Sequence, residues 1–92
     1  MTVKDRIVAT LTEALKPEAL AVLDESHLHA GHMGSRPSGE THFRVRVTAE
    51  AFAGKSLVAR HRVINGLLMS ELQPGGVHAL AIEARAPGEP RR

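Results

Sequence analysis

His42-Phe43-Arg44-Val45-Arg46-Val47 alternates apolar and polar residues with the period of two that a half-buried strand requires. Phe43, Val45 and Val47 share one face, His42, Arg44 and Arg46 the other. The segment after this strand decides the topology. Ala49 to Phe52 makes a short turn, Gly54 interrupts, and Ser56 is placed to cap a helix expected over 57–72, with Leu57, His61, Ile64, Leu68 and Leu72 as its stripe. Pro74-Gly75-Gly76 breaks that helix, and Val77 to Ala84 reads as a further strand. A connection that contains a helix and more than a dozen residues favours a parallel, right-handed crossover between the strands it joins.

Towards the N-terminus, Thr2-Val3-Lys4-Asp5 has the form of a capping box, and Val3, Ile7, Val8, Leu11, Ala14 and Leu15 recur at helical spacing until Pro17. A helix over 3–15 is expected. Leu20 to Asp24 is a short apolar run, read as the first strand and closed by Asp24-Glu25-Ser26. The order is therefore helix, strand, strand, helix, strand, an α+β arrangement. Ninety-two residues make one domain. Its expected extent is 1–87; from Ala86 the chain is polar, contains Pro and offers nothing to bury, so 88–92 is expected to be a flexible tail.

Twelve Lys and Arg against ten Asp and Glu leave a net charge of +2, too little to imply a nucleic-acid partner by itself. Two Phe, with no Trp or Tyr, require a largely aliphatic core. The absence of Cys excludes a disulfide framework, a thiol nucleophile and any Cys-ligated zinc or iron–sulfur site built by this chain alone. No apolar leader or membrane-length run is present, so a cytoplasmic protein without a membrane contact is expected.

The six His are the surplus in the composition. His27, His29 and His32 fall in the 26–41 connection, which also holds Gly31, Gly34, Pro37 and Gly39 and is long for a hairpin; loops of that length are usually functional or disordered. It closes the edge where the second strand begins. A third strand parallel to the second must begin at that same edge, which brings His78 beside the loop histidines.

Asp24-Glu25-Ser26, His29-Ala30-Gly31-His32, Gly39-Glu40-Thr41-His42-Phe43, Phe52-Ala53-Gly54-Lys55-Ser56, Arg60-His61-Arg62, Glu71-Leu72 and Val77-His78-Ala79-Leu80 together resemble the BolA-like family over about residues 4–87. The resemblance implies an α+β fold of class II KH-like topology, a three-stranded mixed sheet with helices on one face. It further implies an iron–sulfur adaptor whose partner is a cytosolic monothiol glutaredoxin, in a heterodimer sharing a [2Fe–2S] cluster with glutathione. The free protein is expected to be a monomer. In that family picture His78, in the His-Ala-Leu motif, is one cluster ligand. A loop residue is the second; His29 matches best by its spacing from Asp24-Glu25-Ser26, and His32 is the alternative.

Chemistry agrees with that division of labour. A [2Fe–2S] cluster takes four ligands, two of which can be His on one iron. This chain can supply only the imidazole half, so thiolates must come from elsewhere, and the glutaredoxin Cys and glutathione that the resemblance implies would complete the set. Each ligating imidazole nitrogen must be deprotonated, so low pH is expected to release the cluster. A zinc site of two loop His and His78 would lack the fourth ligand that a closed site wants. The plain structural alternatives are a solvated polar loop for His27, His29 and His32 and a strand-end position for His78. His61, on the expected stripe, reads as a core-boundary residue, and His42 as a structural residue on the solvent-facing side of its strand.

The alternative function is a DNA-binding transcriptional regulator of helix-turn-helix type. From 41 to 65 the chain carries Arg44, Arg46, Lys55, Arg60 and Arg62 against only Glu50, and Lys55, Arg60, Arg62 and Arg44 are the candidate phosphate contacts. Lys55 and Arg62 share a helical face that Arg60 leaves, so a continuous recognition face is not expected. Gly54-Lys55-Ser56-Leu57 lacks the second Gly of a nucleic-acid-binding KH loop, and Ala49 stands where a P-loop needs Gly. Asp24 and Glu25 point to opposite faces of a strand, which removes them as an acid/base pair, and no Ser has a demonstrable His and orienting acid. An enzyme is not expected.

Overall fold

The computed structural model describes residues 2–26 and 41–90. The helix α1, Val3–Leu15, starts at Thr2: Asp5 N–H donates to Thr2 Oγ1 at 3.1 Å and Thr2 N–H returns to Asp5 Oδ2 at 3.2 Å. Two orphan donors of the first turn are thereby satisfied. Lys16 takes a left-handed conformation at its C-terminus, φ 46°, and Pro17 prevents continuation.

Strand β1, Ala19–Asp24, pairs antiparallel with β2, His42–Thr48, in the register Val22 opposite Val45 and Asp24 opposite Phe43. A 3-10 turn over Glu50–Phe52 leads to α2, Leu57–Leu67, capped by Ser56 Oγ, which accepts from Ala59 N–H. Strand β3, Ala79–Arg85, lies parallel to β2, His42 opposite Ala79 and Val45 opposite Ile82. β2 is central, giving a three-stranded mixed sheet in the order β1-β2-β3. Ile7 and Leu11 of α1, Ile64 of α2 and Leu68 just beyond it share one core with Val22, Phe43, Val45 and Val47, so both helices cover the same face of the sheet. Phe52 is fully buried in that core.

Three local expectations differ from this arrangement. First, α2 ends at Leu67 rather than 72, and the chain continues in turns closed by Glu71 N–H to Leu68 O, Leu72 N–H to Met69 O and Val77 N–H to Glu71 O. Leu68 and Leu72 still pack on the core, so their spacing reported burial rather than helix. The early end lets Glu71 meet Arg6 of α1 in a two-pronged pair, Nε to Oε2 at 2.8 Å and Nη2 to Oε1 at 3.0 Å. It also lets Gly76 approach the Glu71 carbonyl so closely that a Cβ there would sit 2.3 Å from that oxygen.

Second, the inward side of α2 is Arg60, Val63, Ile64 and Leu67. Leu57 and His61, placed on the stripe by sequence, are exposed. Third, the chain after β3 is not a tail from Ala86 onward. Ala86 is buried, and Glu89, within the expected flexible 88–92 stretch, turns back so that its carboxylate receives the Ala86 N–H at 3.0 Å and forks onto Arg60, Nη1 to Oε1 at 2.6 Å and Nη2 to Oε2 at 2.8 Å. A buried guanidinium needs a paired anion, and this chain finds it beyond the last strand.

Candidate functional site

The edge of the sheet at the start of β2 is assembled around Ser26. Its Oγ accepts the Thr41 N–H at 2.9 Å and the His42 N–H at 3.2 Å, while Asp24 Oδ1 accepts the Ser26 N–H at 2.9 Å and the Ser26 hydroxyl. The connection over 27–40 thus leaves and re-enters the fold at one hydrogen-bonded point. Thr41, fully buried, directs its carbonyl at the incoming third strand and receives the His78 N–H at 2.7 Å and the Ala79 N–H at 3.1 Å. As parallel pairing requires, β3 begins at the edge where the loop closes.

His78 stands one residue before β3 with an exposed side chain. His29 and His32, the two expected loop ligands, lie outside the described residues, as does His27. The imidazole that meets His78 within the described residues is His42, with ring centroids 5.4 Å apart and planes tilted by 57°. His42 is buried rather than solvent-facing, and its Nδ1 shares a hydrogen bond of 2.8 Å with Thr41 Oγ1. Strand parity put it on the polar face. The available signal was register: a residue opposite Ala79 lies beside His78. Among the described residues no three His, Cys, Asp or Glu side chains gather into a metal-binding group.

The basic candidates are dispersed. Lys55 and Arg62 are exposed on and before α2. Arg60 is turned inward, its side chain 7% exposed and committed to Glu89, Lys55 O and Ala84 O. Arg44 lies on the open face of the sheet, bonded to Glu25 at 3.0 Å and Glu83 at 3.1 Å, and Arg46 also reaches Glu83 at 3.2 Å. The hydrogen bonds that Arg60 donates to Glu89, and Arg44 to Glu25 and Glu83, hold both guanidiniums above their ordinary pKa. Both cations already have carboxylate partners. The four residues expected to contact phosphate do not form one surface, and nothing in their placement supports a nucleic-acid interface.

The model of the BolA-like protein family matches residues 11–89. The chain belongs to the BolA-like family. It is 54% identical over 93 residues to an uncharacterized protein in the cobS 5' region of Sinorhizobium sp, a match covering all of this chain and 99% of that one. It is 50% identical over 88 residues to SufE-like protein 1, chloroplastic/mitochondrial, of Arabidopsis thaliana, covering 91% of this chain but 24% of that relative's length. Among solved structures it is similar to the BolA domain of SufE1 from Arabidopsis thaliana, with 47% identity, a TM-score of 0.86 and 98% of each chain covered. The fold expected from the sequence is therefore a BolA fold in fact. An organelle in one relative's name leaves the expected cytoplasmic location open, and among the described residues no helix is long and apolar enough to cross a membrane.

Proposed function

We propose that this BolA-like chain is a non-catalytic iron–sulfur adaptor that docks in the cytoplasm on a monothiol glutaredoxin and shares a [2Fe–2S] cluster with it and glutathione. The observation that carries the reading is the exposed His78 side chain at the edge where the 27–40 loop closes, on a backbone whose amide N–H donates to Thr41 O at 2.7 Å. The donor set fits such a group: an accessible imidazole suits the iron that takes nitrogen ligands, and a chain without Cys leaves the thiolates to its partner. His78 with His29 or His32 would hold the cluster on this side. Family membership supports the same reading, as does the likeness to a BolA domain carried by a SufE-like protein. When bound, the cluster supplies a transferable iron–sulfur unit, for trafficking or iron signalling. This chain's residues contribute the ligating nitrogens and the rigid rim that presents them.

The test is to mix the chain with cluster-loaded monothiol glutaredoxin and record visible absorption and circular dichroism. A new spectrum of the mixed complex is expected, lost in His78→Ala and in one of His29→Ala or His32→Ala. A complex spectrum unaltered by His78→Ala would remove His78 from the site.

A further inference from the structure

His42 is tied down on three sides. Its N–H donates to Ser26 Oγ at 3.2 Å, its carbonyl accepts the Glu25 N–H at 2.8 Å, and its Nδ1 shares the 2.8 Å bond with Thr41 Oγ1. Only 8% of the residue is exposed. His78 is its opposite: the backbone is fixed at Thr41 O, but the side chain is exposed. The two rings nevertheless meet, centroids 5.4 Å apart and planes tilted by 57°. A fixed ring beside an exposed one removes rotamers from the exposed one.

From this contact we infer that His42 is a positioning residue for His78, a wall that holds the His78 imidazole in one orientation before any ligand arrives. The inference rests on the adaptor reading for its purpose, because an imidazole already ordered loses less side-chain freedom on coordination. It also explains why a polar residue is buried at the start of β2. Thr41 and Ser26 order His42, and His42 orders His78, so the closure of the loop and the orientation of the imidazole become one construction. Its Nδ1 bond to Thr41 Oγ1 serves to hold the wall in place.

The experiment begins on the free chain, with the side-chain coupling constants of His78 measured by NMR in the wild type, His42→Ala and His42→Phe. One dominant χ1 rotamer is expected in the wild type, averaging in His42→Ala, and recovery in His42→Phe, which restores a ring at that place. Backbone amide spectra report that each variant is folded. A His78 rotamer distribution identical in the wild type and folded His42→Ala overturns the inference. The same proteins are then mixed with cluster-loaded glutaredoxin, where His42→Ala is expected to weaken retention of the complex about three- to tenfold, the cost of immobilising one side chain, and His42→Phe to restore it. Loss of the complex spectrum in His42→Phe as complete as in His78→Ala would make His42 a ligand and overturn the positioning role. Rotamer averaging in His42→Ala with recovery in His42→Phe sustains the positioning even if the wild type forms no complex, in which case the adaptor reading alone fails.

Discussion

Ser26 Oγ accepts the Thr41 N–H at 2.9 Å, a single hydroxyl joining the last described residue before the 27–40 loop to the first one after it. The same oxygen accepts the His42 N–H, so one side chain satisfies two buried backbone donors. Leaving such donors unpaired costs their desolvation. Ser26→Ala is therefore expected to lose about 2 kcal/mol in urea unfolding. The Thr41 and His42 amides should also exchange faster than the β2 interior. A loss below about 0.5 kcal/mol would mean that water replaces the hydroxyl without cost.

The Arg60 and Glu89 pair predicts an unequal response among carboxylates. Glu89→Ala strands a guanidinium whose side chain is 7% exposed, whereas Glu13→Ala removes only an exposed contact 3.7 Å from Lys16. The first should lower the urea midpoint clearly and the second leave it within error. Adding Arg60→Met to Glu89→Ala should recover part of the loss, because the uncompensated charge is then gone. Equal midpoints for Glu89→Ala and Glu13→Ala would contradict the buried pair.

Two glycines should separate strain from collision. Gly54 has φ +76° and open space around the missing Cβ, so Gly54→Ala meets only the left-handed backbone penalty of about 1–2 kcal/mol. At Gly76 an added Cβ would press on backbone, 2.3 Å from Glu71 O and 3.1 Å from Gln73 O. Gly76→Ala should cost more, about 3 kcal/mol, and disturb the approach to His78 by weakening the 2.7 Å bond from Val77 N–H to Glu71 O. Thermal melts of the two variants in the reverse order would refute this contrast.

Stability should fall in acid through named carboxylates. Arg6 holds the Glu71 carboxyl below its ordinary pKa, the Arg46 and Arg44 guanidiniums do the same for Glu83, and the Thr2 backbone and hydroxyl for Asp5. A depressed folded-state pKa means that the unfolded chain binds the proton first. The stabilisation from these groups is whole above their unfolded values, about 4.3 for Glu71 and Glu83 and about 3.9 for Asp5, and is lost as pH falls through those values towards the folded ones. Urea midpoints should decline below about pH 4.3, and the decline should be shallower in Glu71→Gln and Glu83→Gln. The Glu83 effect should shrink in high salt, since the ladder Glu25, Arg44, Glu83, Arg46 is partly exposed.

Much of the fold was legible because its signals are local. The Thr2 and Asp5 reciprocal cap and the apolar spacing up to Leu15 mark α1, and the alternation from His42 to Val47 marks both the strand and its buried face. A long connection containing a helix favoured a parallel β3 that enters beside the loop, which is where His78 stands. Where reading by spacing failed, a distant partner had changed the meaning of a residue. Arg60 sits inward because Glu89, nearly thirty residues on, supplies its anion. His61 and Leu57 are consequently left outside a stripe that hydrophobicity had assigned to them.

By itself, then, the chain's own order of residues determined an α+β domain, the strand sequence and the meeting of His78 with the loop edge, since backbone periodicity and crossover geometry depend on near neighbours. Only the folded packing decided which polar residues are buried. His42 beside His78, bonded through its backbone to Ser26 and Glu25, and Arg60 under the C-terminal turn, bonded to Glu89, are low in energy because hydrogen-bond partners from other segments converge on them, and no local pattern encodes that convergence.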